Sequence, residues 1–145
     1  MSKLKLRITT VVMVLVSMFV LAGCDGGAGA PRITGLAPDA VVRTVFNEVQ
    51  AGQMNDAKEY LAPNSMGDNA SLQTMRNSNL VNARTVANQA GFAVVMATVM
   101  QQNTSNISIK PIGLEKINGE WCILDVSNIY NNTKYAVLQR LLGGI

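Results

Sequence analysis

The chain has 145 residues, a formal net charge of +3, two cysteines and no histidine. Without histidine it lacks the commonest metal ligand and general base, which excludes Ser-His and Cys-His nucleophile pairs. The excess positive charge comes from Lys3, Lys5 and Arg7, and the rest of the chain has equal numbers of basic and acidic residues. This balance argues against a nucleic-acid-binding patch on the folded part.

The N-terminus has the pattern of an export signal. After the basic start comes an uncharged, mainly apolar run from Ile8 to Leu21. As a helix rising about 1.5 Å per residue it would be about 21 Å long, short of the roughly 30 Å hydrocarbon core of a bilayer. A short apolar segment behind a basic start is typical of a secretory signal. An uncleaved membrane anchor is the alternative interpretation.

The apolar run ends in Leu21-Ala22-Gly23-Cys24, which resembles the lipobox of bacterial lipoproteins. The resemblance implies cleavage between Gly23 and Cys24, a lipid on the Cys24 sulfur and an acylated new amino terminus, with palmitate as the expected acyl group. Two or more acyl chains make membrane attachment stable. The domain would face the periplasm or the cell exterior. Asp25, by resemblance to the enterobacterial sorting rule, would favour the inner membrane, while the outer membrane stays open.

Two predictions follow for the processed chain. Residues 24–36 are rich in Gly, Ala and Pro, a composition that predicts a flexible tether. If Cys24 carries lipid, Cys122 has no intramolecular disulfide partner, and its apolar surroundings predict a small buried side chain.

Two helices are predicted after the tether. The first begins at Pro38 and Asp39, shows an apolar face of Val42, Val45, Phe46 and Val49, and ends at Gly52. The second runs from about Asn55 to Leu61 and stops before Pro63. The spacing of Leu72 and Met75 permits one more short helix.

Four strands in an antiparallel meander are predicted next, over Val81–Ala87, Phe92–Gln101, Ile107–Ile117 and Glu120–Asn128. Asn118-Gly119 is suited to a type I′ turn between the last two. The second segment also fits a helix, but its β-branched residues favour a strand. Its odd-numbered and even-numbered residues are both mainly apolar, which predicts that both faces of this strand are buried. Pro111 close to Gly113 predicts a β-bulge.

Residues 131–145 are predicted to form an amphipathic C-terminal helix, aligned by Tyr135, Leu138, Leu141 and Leu142. This helix either packs back on its own domain, caps the mouth of that domain, or binds a partner.

The order of elements, with a small set of local motifs, resembles the nuclear transport factor 2-like superfamily. More narrowly it resembles a bacterial lipoprotein domain of unknown function described as lumazine-binding-like. The motifs are Pro38-Asp39-Ala40-Val41-Val42 leading to Phe46, Gly52-Gln53, the segment from Asp56 to Leu61, and the segment from Leu114 to Val126. Gln53, where the family usually has an acidic residue, and the tail after Tyr130 depart from the pattern.

This resemblance implies an α+β fold in which an N-terminal helical hairpin packs on a curved, cone-like, four-stranded antiparallel meander, followed by a C-terminal helix. The domain organisation is then a signal peptide over 1–23, the tether over 24–36, the cone-like domain over 37–130 and the terminal helix over 131–145.

Three functions are considered. The first is a non-enzymatic binding or scaffold module of the cell envelope, which holds a small apolar ligand or docks an envelope protein. The second is a subunit of an envelope or secretion complex that docks through the C-terminal helix. The third, by resemblance to pocket enzymes of this superfamily, is an isomerase or dehydratase with Asp125 as base and Tyr60 and Tyr130 beside it. Phe46 and Trp121 would stack on a ligand or pack in the core. No cofactor, metal or nucleic-acid partner is predicted.

Overall fold

A computed structural model describes residues 30–65 and 69–144. The lipobox with Gly23 and Cys24, and the first part of the predicted tether, lie outside the described residues. Within the described part of the chain, no helix combines the length and apolar character needed to cross a membrane.

The described chain forms short helices, then a four-stranded antiparallel sheet, then a C-terminal helix, which confirms the predicted α+β class. The strands lie in the order β1-β2-β3-β4. The elements are α1 Pro38–Gln50, α2 Met54–Lys58, a 3-10 helix Pro63–Ser65, α3 Asn69–Arg76, β1 Ser78–Gln89, β2 Phe92–Gln101, β3 Ile107–Ile117, β4 Glu120–Ile123, α4 Val126–Asn131, a second 3-10 helix Thr133–Tyr135, and α5 Ala136–Gly143.

Helix α1 forms as its pattern predicts. Pro38 occupies the first turn, where no backbone donor is needed, and Asp39 lies at the positive end of the helix dipole. Gly52, with a φ of +81°, reverses the chain into α2. Helix α2 is shorter than predicted because Leu61 forms a parallel bridge with Ile123 instead of continuing the helix. Ile123 N–H donates to the Tyr60 carbonyl at 2.8 Å, so backbone pairing with β4 replaces the last helical turn.

The segment from Phe92 to Gln101 is a strand, as predicted. Val94 and Val95 are both fully buried although they point to opposite faces of the sheet, so both faces are covered at this point of β2. Further along the strand, Met96, Thr98 and Met100 on the face of Val94 are only half-buried, so the predicted burial of both faces does not extend over the whole strand. The β3–β4 turn has positive φ at Asn118 and Gly119, and the β1–β2 turn has it at Ala90 and Gly91. Both are consistent with the type I′ geometry that joins two twisted strands closely.

The predicted bulge at Pro111 is wrong, since β2 and β3 pair without a register shift from end to end. Hydrogen-bonded and non-bonded residue pairs alternate along an antiparallel ladder. Lys116 N–H donates to the Gly91 carbonyl at 2.8 Å, so this pair is bonded, and Pro111, five residues earlier and opposite Met96, belongs to a non-bonded pair. Pro111 therefore falls at a position whose nitrogen points away from β2. Strand β4 pairs only with residues Leu114 to Ile117, so no donor is needed there. The bulges lie in β1, between Leu80 and Asn82 and between Thr85 and Ala87.

The last strand is also shorter than predicted, ending at Ile123 rather than at Asn128. Asp125 is the residue before α4, in an extended conformation, and accepts a hydrogen bond from the Ser127 hydroxyl. The Asp125 carbonyl accepts from Ile129 N–H at 3.1 Å, the first bond of α4, and Asp125 N–H donates to the Ser65 hydroxyl at 2.8 Å, so neither backbone group is left to continue the strand pairing.

The sheet separates two hydrophobic clusters. The surface that packs on α1 is called the α1 face and includes Val95, Leu114 and Ile123. The opposite surface is called the α5 face and includes Val94, Cys122 and Gly113. Cys122 is a buried free thiol, as predicted. On the α5 face, Tyr135 and Leu138 are buried against the sheet, so the C-terminal segment packs on its own domain.

Residues 32–35, the end of the predicted tether, contact the domain beside β4. The Arg32 guanidinium lies 5.0 Å from the centroid of the Tyr60 ring and donates to the backbone carbonyls of Glu59 and Trp121. Gly35 N–H donates to the Glu120 carboxylate at 2.9 Å. These contacts place the point where the N-terminal segment leaves the fold at the β4 edge of the sheet.

Candidate binding pocket

A pocket of about 210 Å³ lies between α1, α3 and the α1 face of the sheet. Helix α3 and the start of β1 form one wall, and the chain around the end of β4 forms another. The described residues that line it are Phe46, Ser71, Thr74, Met75, Ser78, Ala97, Val99, Lys110, Pro111, Ile112, Gly113, Ile123, Leu124 and Val126.

Most of this lining is apolar, with Phe46, Val99 and Ile123 nearly fully buried. The apolar lining follows from strand alternation, because Ala97 and Val99 on β2 point to the same face as Ile112 on β3. An apolar molecule that enters this space gains burial free energy of about 25 cal/mol per Å² of apolar surface removed from water.

The polar groups of the lining are few and differ in kind. Three hydroxyls, of Ser71, Thr74 and Ser78, lie where α3 meets β1. The Ser78 hydroxyl donates to the Thr74 carbonyl at 3.0 Å, so its proton is used and its oxygen can accept. Lys110 is the sole charged side chain among the described lining residues, and it forms no salt bridge with any other described residue.

The volume limits what the pocket can hold. An engineered apolar cavity of about 150 Å³ binds benzene, while drug-sized ligands occupy pockets of about 300–1,000 Å³. A pocket of about 210 Å³ therefore suits a single ring with a short substituent, or a branched aliphatic group of similar size.

Of the five predicted pocket residues, Phe46 alone lines this pocket. Tyr60 is buried in the core, where its hydroxyl accepts a hydrogen bond from Ile33 N–H at 2.9 Å. Trp121 is buried in the cluster of the α1 face, and the Lys116 ammonium lies 5.7 Å from the centroid of its ring. Both aromatic side chains thus pack within the domain.

Asp125 and Tyr130 lie on the C-terminal side of the sheet. Asp125 is the neighbour of two lining residues, Leu124 and Val126, but is not among the lining residues itself. Tyr130 is on α4 and is 59% exposed. The structure therefore does not gather Asp125, Tyr60 and Tyr130 around one described pocket.

The sequence interpretation missed Lys110, although a signal for it existed. Side chains two residues apart in a strand point to the same face, so Lys110 shares one face of β3 with Ile112 and Leu114. A charged residue two and four positions before residues that face the core marks a position at the margin of the core, because charged side chains are rarely buried.

A second cavity, of about 300 Å³, lies on the other side of the fold near Glu115, Lys134 and Tyr135. Lys134 Nζ lies 2.6 Å from Glu115 Oε1, and the Tyr135 hydroxyl donates to Glu115 Oε2 at 3.1 Å. The hydrogen bond between Lys134 and Glu115 raises the pKa of Lys134. The pKa of Tyr135 is raised first by burial and then by the negative charge of Glu115. These polar groups satisfy one another and attach the C-terminal segment to β3, so we prefer the first pocket as the binding site although it is smaller.

Compared with known protein families and with curated proteins, the chain matches none.

Proposed function

We propose that the protein is a lipid-anchored, non-enzymatic binding module of a bacterial cell envelope, which holds a small, mainly apolar ligand in the pocket between α1, α3 and the sheet. The pocket carries this proposal. Its apolar lining and few polar groups are the properties of a small-molecule binding site, and its volume of about 210 Å³ limits the ligand to a small one.

The anchoring part of the proposal comes from the sequence. Lipidation of Cys24 after cleavage behind Gly23 would leave residues 24–31 between the lipid and Arg32. Arg32 and Gly35 are bound to the domain, so the free part of the tether is short, and at about 3.5 Å per residue it extends no more than about 28 Å. The domain would therefore stay close to the membrane surface.

The shape of the domain is part of the same proposal. We describe it as a nuclear transport factor 2-like domain, in which the hairpin of α1 and α2 packs on a cone-like sheet. Support comes from the Gly52 turn, from the burial of Val42, Val45 and Val49 of α1, and from the pocket beside α1 on the face that this helix covers.

Ligand binding is tested by native mass spectrometry of the full-length protein purified from envelopes. We expect a bound small molecule on the wild type. Ser71→Phe, which fills the pocket from α3, should lose it, whereas Gln73→Phe at an exposed position of the same helix should keep it. Equal occupancy of both variants, or a wild type without any ligand, would contradict the proposed binding function.

Anchoring has a separate test. Cys24→Ser should prevent lipidation and processing and abolish labelling by a radioactive fatty acid. A variant that is still processed at the same bond and still labelled would show that Cys24 is not the anchor.

A further inference from the structure

We infer that the ligand is a small organic acid, an aromatic or branched apolar body carrying one carboxylate, and that Lys110 together with Ser108 binds the carboxylate. This inference rests on the proposed function, because it specifies the chemistry of the molecule in the same pocket. It is carried by the juxtaposition of an unpaired ammonium, a buried unpaired hydroxyl and an apolar pocket.

The ammonium of Lys110 sets the charge of the pocket. Lys110 pairs with Ala97 across the β2–β3 ladder, and both residues line the pocket on the α1 face. Because no carboxylate among the described lining residues balances it, the field in the pocket favours an anion and disfavours a cation. Interactions between charges are stronger beside an apolar wall than in bulk water.

The hydroxyl of Ser108 is a second and independent observation. Its oxygen is buried and has no hydrogen-bond partner in the described structure. Ser108 precedes Lys110 by two residues, so the two side chains share the α1 face and their backbones are about 7 Å apart. Ser108 is not itself among the lining residues, but its neighbours across and along the sheet, Val99 and Lys110, both line the pocket, so its hydroxyl lies directly behind that wall. A buried hydroxyl without a partner is unfavourable, and a ligand oxygen would satisfy it.

One ammonium and one neighbouring hydroxyl match the two oxygens of a carboxylate. A phosphate monoester carries more charge and more acceptor oxygens than this pair can satisfy. The rest of the ligand must then be apolar, since it would contact Val99, Ile112 and the other apolar side chains of the pocket. The limited volume restricts it to about one ring or a branched chain of comparable size.

The experiment compares two probes of nearly equal shape, phenylacetate and its neutral amide, phenylacetamide. The full-length protein is held in lipid nanodiscs, and binding is measured by saturation-transfer NMR titration after subtraction of empty nanodiscs. We expect the wild type to bind phenylacetate about tenfold more tightly than phenylacetamide, which is equivalent to about 1.4 kcal/mol.

The variants assign the difference to residues. Lys110→Met keeps much of the side-chain volume without the charge and should abolish the preference for phenylacetate while leaving phenylacetamide binding unchanged. Ser108→Ala should weaken phenylacetate binding about threefold, and it serves as the second variant if Lys110→Met does not fold. Lys116→Met, at an exposed lysine of the same strand, should keep the wild-type preference.

The outcomes separate the two proposals. If both probes bind equally and Lys110→Met changes neither, the inference about the acid is wrong and the binding pocket stands. If Lys116→Met removes the preference as fully as Lys110→Met does, a general surface charge is responsible and the inference is also wrong. If neither probe binds, the inference fails, and the mass spectrometry of Ser71→Phe decides the proposed function by itself.

Discussion

The hydroxyl of Tyr135 donates a hydrogen bond to Glu115 Oε2 at 3.1 Å and so joins the C-terminal segment to β3. Both side chains are buried, and the Phe92 ring packs edge-on against Tyr135 with the centroids 6.0 Å apart. The tail is therefore attached by a polar contact as well as by the burial of Leu138. A partner protein that captured this helix would have to break both.

Tyr135→Phe should lower the free energy of unfolding by about 1–2 kcal/mol, because it removes a hydrogen bond to a buried carboxylate and leaves Glu115 less well satisfied. The measurement is urea unfolding followed by the fluorescence of Trp121. Tyr130→Phe is the matched control, since Tyr130 is 59% exposed, and it should change the stability by less than about 0.5 kcal/mol. Equal effects of the two substitutions would contradict a structural role for the Tyr135 hydroxyl.

A second prediction concerns Glu48 on α1, whose Oε2 is buried without a hydrogen-bond partner in the described structure. Burial, and then repulsion by Asp56, raises the pKa of Glu48 above its ordinary value of 4.5. The folded protein thus holds this proton more strongly than the unfolded chain does. As the pH rises through the interval between 4.5 and the raised pKa, stability falls, and above that interval a constant destabilisation remains.

Glu48→Gln should therefore stabilise the protein at pH 7, by about 0.5 kcal/mol after allowance for solvent screening, and should have little effect below about pH 4. Glu59→Gln removes the same charge at an exposed position and is the control. Unfolding curves measured across this pH range test the sign. Stabilisation by Glu48→Gln that is the same at pH 4 and pH 7 would mean that ionisation is not its cause.

The elements that follow from local patterns were predictable from the sequence. The strands Phe92–Gln101 and Ile107–Ile117 have the predicted bounds, because β-branched residues and turn signals act within a few residues of each other. Asn118-Gly119 likewise determines its own turn.

The features that depend on residues distant in sequence were not predictable in this way. Helix α2 stops early because Leu61 bridges to Ile123, which lies far along the chain. Pro111 is tolerated without a bulge because β4 is too short to reach it, a consequence of where the last hairpin ends. The pocket is formed by α1, α3 and two strands together, so Lys110 acquires its role only from the tertiary arrangement.

Ala90 supports a third prediction, since it is a non-glycine residue with a φ of 53° in the β1–β2 turn. An L-residue with a Cβ is destabilised by roughly 1–2 kcal/mol in this conformation, whereas asparagine tolerates it better. Ala90→Asn would give the turn the Asn-Gly sequence already present at Asn118-Gly119, and it should raise the free energy of unfolding by about 0.5–1 kcal/mol. The reverse substitution in the other hairpin, Asn118→Ala, should lower it by a similar amount. Thermal unfolding of the two variants checks both signs, and shifts in the same direction would show that turn strain does not govern them.

Arg32 gives a prediction about the N-terminal segment. Its guanidinium contacts the Tyr60 ring and donates to the Glu59 carbonyl at 2.9 Å. Arg32→Met should release residues 30–35 from the β4 edge and lower the stability by about 1 kcal/mol through loss of the cation–π contact and the hydrogen bonds. Limited proteolysis should then cleave this segment faster. Arg84→Met, at an exposed arginine of β1, should leave the cleavage rate unchanged, and faster cleavage in both variants would argue against a specific role of Arg32.

Gly113 determines how closely the C-terminal helices approach the sheet. A Cβ at this position would lie 2.8 Å from Ile129 Cδ1 and 2.9 Å from Leu138 Cδ2, which is closer than side chains pack. Gly113→Ala should therefore displace the ends of the Ile129 and Leu138 side chains, which are fully buried and have little room to move, and lower the free energy of unfolding by about 1–3 kcal/mol. Gly143→Ala has open space around it and should change the stability by no more than about 0.5 kcal/mol.

Ile129→Val offers a direct check of that collision, because it removes the Cδ1 atom nearest to the added methyl group. Alone it should be mildly destabilising, by about 0.5–1.5 kcal/mol. Combined with Gly113→Ala, the two effects should total less than their sum, because the shorter side chain makes room for the new Cβ. Urea unfolding of the wild type, both single variants and the double variant measures this coupling. Strict additivity would mean that contact with Ile129 is not what makes the added methyl group unfavourable, which would leave the Leu138 contact at 2.9 Å as the cause.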